Sequence, residues 1–185
     1  MRMIRCEKIT DWDLVYTTAL ATERKSVFGK MPNDEWKMKM AHSPHSPIRA
    51  LQFLIQFECP YFVQNHLVRH HEGVQWFVGS QRNDRQHDYD RNAARQDTPV
   101  MVTAIINAEA LAFISRRRLC SKASVETRDT WRMIIDELRK VDPVVASCCV
   151  PECVYRGFCP EQKSCGYCNT EMFDDWIEGY RNFKV

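Results

Sequence analysis

Residues 99–119, PVMVTAIINAEALAFISRRRL, decide how this chain is built. Read at helical spacing, Val102, Ile105, Ile106, Ala110 and Phe113 keep to one face, so a single long helix is expected from Pro99 to Leu119. Asn107 then falls in mid-helix, where it is a poor helix former, which favours a role for it other than building the helix. Upstream, residues 83–98 (NDRQHDYDRNAARQDT) are polar and read as loop. Before them GVQWFVGS (73–80) is short, β-branched and aromatic, and reads as a core strand. In LQFLIQF (51–57), Leu51, Phe53, Ile55 and Phe57 alternate with Gln52, Leu54 and Gln56, a second strand. Pro60 opens the helix PYFVQNHLVRHH. MRMIRCEKI alternates like an edge strand. Thr10 and Asp13 have capping-box spacing for a helix reaching about Val27, and PNDEWKMKMA is a short helix with Pro32 at its entrance. Downstream, a helix from about Ser124 to Val141 stops at Asp142-Pro143. A Cys-rich segment follows, then a last helix, TEMFDDWIEGYRNF. The expected fold class is α+β, a small central sheet flanked by helices.

Composition bounds the function. A chain of 185 residues with 44% hydrophobic residues can bury a real core. The net charge of +2 gives no global basic field, so nucleic acid is not an expected partner. No apolar run is long enough to span a membrane, and MRMIRCEKITDWD has no hydrophobic signal region, so a cytoplasmic protein is expected. Arginine is concentrated instead: Arg69, Arg82, Arg85, Arg91 and Arg95 fall between residues 69 and 95. Its planar fork binds phosphate bidentately.

Residues 66–85, HLVRHHEGVQWFVGSQRNDR, set Arg69, His70 and His71 at one end of an apolar strand and Ser80, Arg82 and Arg85 at the other. Cationic forks and a hydroxyl around an apolar slot suit flat rings that carry phosphates. HSPIRALQFLIQFECPYFVQNHLVRHH (45–71) with Ser80-Gln81-Arg82 resembles the signature of the flavin-dependent thymidylate synthases (ThyX), an Arg-His-Arg run followed by Ser-x-Arg. A second segment, NAEALAFISRRRLCSKASVETR (107–128), is similar to that family downstream, with Asn107, Leu111, Phe113, Arg118, Ala123 and Glu126 in register. The likeness covers about residues 42–130. It departs at His71, where the family has Arg, in a gap to Ser80 one residue longer, and at Glu109, Lys122 and Ser124.

The resemblance implies conversion of dUMP to dTMP, with methylenetetrahydrofolate as one-carbon donor, FAD as cofactor and NADPH as reductant. It implies flavin contacts for Arg69, His70, His71, Asn107 and His45. For dUMP it implies Ser80, Arg82 and His66, with Arg118 on the uracil carbonyls, and Ser80 and Arg118 as the residues of catalysis. It also implies a homotetramer with flavin sites between subunits. Two relatives of that reading stay open: a hydroxymethylating enzyme that transfers the one-carbon unit without reducing it, and a flavin- or nucleotide-binding module without catalysis. A zinc-bearing nucleic-acid-binding protein is a third.

Of nine cysteines, six lie between residues 148 and 168. An odd count without a secretion signal argues against a disulfide framework. Cys153-x5-Cys159-x5-Cys165-x2-Cys168 could ligate structural zinc, or secondly an iron–sulfur cluster, or remain free thiols. Cys148 and Cys149 read as buried helix residues. The division expected is 1–147 for the flavin and dUMP domain and 148–185 for the Cys-rich extension.

Overall fold

The computed structural model describes residues 1–43, 45–85 and 89–183. Four strands form one antiparallel sheet in the order β1-β2-β4-β3: β1 Arg2–Lys8, β2 Gln52–Pro60, β3 Val74–Val78 and β4 Pro99–Asn107. The fold is α+β, as expected.

β4 takes up half of the stretch read as one helix. Val102, Ile106 and Ala110 are four apart, a spacing that serves a helix face and, being even, also one face of a strand. Val100 and Ala104 separate the two readings: they join Val102 and Ile106 in the core, while Met101, Thr103 and Ile105 turn the other way. β4 pairs with β2 from Gln52↔Asn107 to Pro60↔Pro99, and with β3 from Val74↔Ile106 to Val78↔Val102. It is an interior strand that satisfies the backbone of two neighbours. The helix α4 begins only at Ala108 and runs to Arg118. Asn107 is its N-cap, its Oδ1 accepting the Ala110 N–H at 2.8 Å. The poor helix former is thus the residue that ends the strand and starts the helix. Phe113, placed on the buried face by the helical reading, is 50% exposed.

β3 also differs from expectation. It is an edge strand pairing only with β4, and Val74 alone of its residues is buried. The amino-terminal helix α1, Trp12–Thr22, is capped by Asp11 and stops short of Val27. Thr10 does not cap it: its hydroxyl donates to the Ala50 carbonyl at 2.6 Å and accepts from the Gln52 N–H at 2.8 Å, tying the end of β1 to the start of β2. α2 Asp34–His42, α5 Val125–Val141 and α8 Glu171–Arg181 run about as expected, while α3 Tyr61–Leu67 opens behind Pro60 but stops four residues short of His71, leaving Arg69, His70 and His71 beyond its end. Short helices α6 (Pro143–Ser147) and α7 (Glu152–Arg156) complete the chain, with 3-10 turns at Ser46–Ala50 and Tyr167–Asn169.

One face of the sheet makes the core. Phe53, Ile55 and Phe57 of β2 and Val102, Ala104 and Ile106 of β4 join Leu111 and Ile114 of α4 and Trp131, Ile134 and Leu138 of α5. Trp131 Nε1 donates to the buried Ser115 Oγ at 2.8 Å, which locks α5 onto α4. Asp142, 3% exposed, caps α6 through the Val145 N–H and accepts the indole N–H of Trp12 at 2.8 Å. Val150, Val154, Phe173 and Ile177 form a second, separate apolar cluster within the Cys-rich segment. Among the described residues no helix is long and apolar enough to cross a membrane.

Candidate functional site

The end of α3, the turn after it and the end of α4 converge. Arg118 donates from Nε to His70 Nε2 at 2.9 Å and from a terminal guanidinium nitrogen to the His66 carbonyl at 2.6 Å. His66 Nδ1 shares a hydrogen bond of 2.9 Å with Thr127 Oγ1, which also accepts from Ser124 Oγ at 2.8 Å. Trp76 Nε1 of β3 donates to the His70 carbonyl at 2.7 Å and fixes the turn from the sheet side. Each element has a local reason to be there. Pro60 and Asn107 start α3 and α4 at opposite ends of the β2–β4 ladder. The Trp131–Ser115 bond holds α5, and with it Thr127, against α4.

Arg118 is half-buried. Burial, and then the charge of Arg69, make its own charge costlier to hold. Burial, and then the charges of Arg118, Arg117 and His71, push His70 down to about 4. His70 Nε2 accepts from Arg118, so the neutral ring carries its proton on Nδ1. A carboxylate in its place would orient the guanidinium equally well but cancel its charge. His70 orients Arg118 and leaves the cation available to an anion.

This predicts a pH dependence. An unfolded His70 takes a proton below about 6.5, while the folded one does not until about 4. In that window the unfolded chain binds more protons, so stability is full above it and falls as the pH drops through it. His70→Gln keeps an acceptor but cannot titrate. It is expected to flatten the decline of the urea midpoint between pH 6.5 and 4. An acid limb identical to wild type would assign the titration to another group. His42, also lowered by burial, shifts in the same direction and is present in both proteins.

The other expected site residues are spread more widely. Asn107 lies beside Gly73: its N–H donates to the Gly73 carbonyl at 3.0 Å, and a Cβ on Gly73 would come within 2.6 Å of the Asn107 side chain. Gly73 has φ +69, in the left-handed region that glycine alone adopts without strain. His71 is exposed, its Nδ1 3.2 Å from the Arg69 carbonyl. His45 is exposed ahead of the first 3-10 turn, and among the described residues no side-chain hydrogen bond or ion pair joins it to the cluster. Ser80 and Arg82 lie beyond the far end of β3. That strand's four residue steps put roughly 13 Å between its ends. Ser80 Oγ accepts the Arg82 N–H at 3.3 Å, and the Arg82 guanidinium forks onto Asp84. One chain therefore brings together Arg69, His70, His66 and Arg118, and holds Ser80 and Arg82 apart from them.

Trp76, Thr127 and Gly73 carry no sequence signal for this site; of the charge run Arg116-Arg117-Arg118, Arg117 is exposed, as such a run ordinarily is. Arg116 is instead half-buried, its guanidinium 3.5 Å from the centre of the Tyr155 ring. A run of three arginines at the end of α4 was the available signal, since only part of a turn of helix can face solvent at once.

Beyond Arg118 opens a cavity of about 810 Å³ between the α4–α5 connection and the Cys-rich segment. Cys153, Cys159, Cys165 and Cys168 all line it, with Cys120. Burial and the neighbouring Cys168 push Cys153 up to about 12, while the Ser121 hydroxyl leads the lowering of the exposed Cys165. Among the described residues no three His, Cys, Asp or Glu side chains stand together as a metal-holding group. Cys168 nevertheless stands within side-chain hydrogen-bond reach of Cys153 and Cys159, and Cys165 is close enough to act on it through charge.

No family profile matches the chain, and no curated protein matches it. Its fold is similar to that of the UMP/dUMP methylase PolB from Streptomyces cacaoi, solved with 5-Br dUMP bound, at a TM-score of 0.55 and 14% identity, over 83% of this chain and 95% of that one.

Proposed function

We propose that this protein is a flavin-dependent enzyme that methylates dUMP at C5 to give dTMP, using methylenetetrahydrofolate, with NADPH as reductant. The observation that carries the reading is Arg118, a half-buried cation oriented by a neutral histidine, in a fold shared with a dUMP methylase.

The residues present fit a flavin dinucleotide on two observations. Among the described residues no carboxylate pairs with Arg69 or Arg118. Gly73 leaves open a cradle beside Asn107 that any side chain would fill. Arg69 and His70 would hold the anionic part of that group, with His71, Asn107 and His45 toward its rings. Reduced flavin, when bound, supplies the hydride. Arg118 would grip the uracil carbonyls and offset the negative charge that builds on the ring as C5 attacks the one-carbon unit. His66 and the Thr127–Ser124 pair hold the loop that carries Arg118's partners. Ser80 and Arg82 would take the phosphate, Arg82 exchanging Asp84 for it.

The gap along β3 gives this reading a structural consequence. A dUMP that reaches Arg118 needs its phosphate ligands from elsewhere, and Ser80 and Arg82 of a second copy can supply them. A homotetramer with sites between subunits is part of the proposal.

The test is product analysis with dUMP, methylenetetrahydrofolate, FAD and NADPH. Formation of dTMP is the expected result. A 5-hydroxymethyl product would reassign the last step to transfer without reduction. Flavin-loaded protein that gives no product would leave a binding module.

A further inference from the structure

The 810 Å³ cavity lies on the seam between the two apolar clusters, where ligand sites favour forming, and its size suits a mid-sized organic ligand. Its walls are of two kinds. On one side stand six cations, Arg116, Arg117, Arg118, Lys122, Arg128 and Arg132, against only three lining carboxylates. Those carboxylates are mostly engaged or distant: Glu152 is bound by Arg156, and Glu161 reaches Arg117 only at 4.0 Å. Among the described residues, Lys122 and Arg128 have no carboxylate partner.

The opposite wall is aromatic. Tyr167 and Trp176 meet edge-to-face with ring centres 6.4 Å apart, and Trp176 is 40% exposed. Met172 beside them is 71% exposed, an unusual position for a thioether unless something covers it. The aromatic wall belongs to the Cys-rich segment, whose helix α8 carries Met172 and Trp176.

We propose that this cavity binds a flat aromatic compound bearing two or more negative charges, its ring against Trp176 and Tyr167 and its anionic end on Arg128 and Lys122. The rings supply the stacking surface. The guanidinium and ammonium supply charge-assisted hydrogen bonds. Two compounds of the proposed reaction share this chemistry, the folate donor with its carboxylates and the nicotinamide dinucleotide phosphate. In naming these two as sources the inference rests on the proposed function; the site itself does not.

Equilibrium titration needs no turnover, so it separates the two. Calorimetry of the full chain at fixed ionic strength uses folic acid and NADP⁺ as probes, with inorganic pyrophosphate as a control for charge alone. One or both aromatic probes are expected to saturate at one per chain, more tightly than pyrophosphate. Folic acid alone saturating identifies the pterin source; NADP⁺ alone, the dinucleotide. Arg128→Gln and Trp176→Leu should each weaken that binding about tenfold, and Arg69→Ala should leave it unchanged. Lys122→Gln, at an exposed position, replaces Arg128→Gln if the latter fails to fold. Neither aromatic probe saturating, or both cavity variants binding like wild type, overturns the inference. Cavity binding retained in a protein that makes no nucleotide product counts against the proposed function only.

Discussion

On the proposed function, Arg118→Ala is expected to lower turnover of dUMP by about 10²–10³, even at saturating nucleotide and with flavin still bound. Removing a donor aimed at charge that develops in the transition state typically has that effect. The loss should lie in kcat because the structure pre-orients this cation through His70 and the His66 carbonyl before any substrate arrives. Ser80→Ala should behave differently. If Ser80 lies at the phosphate, it positions the nucleotide, and its loss raises KM more than it lowers kcat. Steady-state kinetics of the two variants check both statements. A KM effect for Arg118→Ala with a kcat effect for Ser80→Ala would mean that the base and phosphate ends are exchanged. Wild-type rates in both would remove dUMP as the substrate.

Trp131→Ala is the second large effect, and it acts on the fold. The side chain is 1% exposed, and its indole N–H meets the buried Ser115 Oγ. Truncating a buried Trp costs about 3–5 kcal/mol, against about 5–15 kcal/mol for a whole domain. The variant should be largely unfolded or close to it at 37 °C, as read by near-ultraviolet circular dichroism and urea titration. Ser115→Ala should lose about 1–3 kcal/mol, because it strands the indole donor without removing the ring. A native-like urea midpoint for Trp131→Ala would show that α4 and α5 are held together by other contacts. This bond also sets the register between Arg118 on α4 and Thr127 on α5, so the milder Ser115→Ala should disturb the site before it unfolds the chain.

Much of the architecture is legible where local chemistry and periodicity agree. Ser124 and Thr170, the first residues of the two downstream helices as read, each accept a backbone N–H at the helix start. Phe53, Ile55 and Phe57 alternate into the core as read. Legibility fails at residues 99–107, where a four-residue spacing satisfies both periods. It fails again at β3, where apolar composition says strand but cannot say edge. The site divides in the same way. Arg69, His70 and Arg118 are visible because charged and imidazole groups in an ordered pattern carry their own signal. Trp76 and Thr127 are ordinary residues in ordinary elements, and only the folded chain gives an indole or a hydroxyl its partner. The cavity was hidden for a further reason: its cationic wall comes from α4, α5 and the connection between them, and its aromatic wall from α8 and the 3-10 turn before it.

The bond between Trp12 and Asp142 joins residues 130 positions apart. On a ribosome, the indole emerges long before the carboxylate that receives it. Until α5 is complete and α6 begins, the Trp12 indole N–H lacks its buried acceptor, although α1 can already pack on the 3-10 turn Ser46–Ala50. β1 is in the same position, since its ladder partner β2 begins only at Gln52 and α5, which packs over β1, begins only at Val125. Closure of the amino-terminal quarter is therefore a late event in synthesis, of the long-range kind that slows folding.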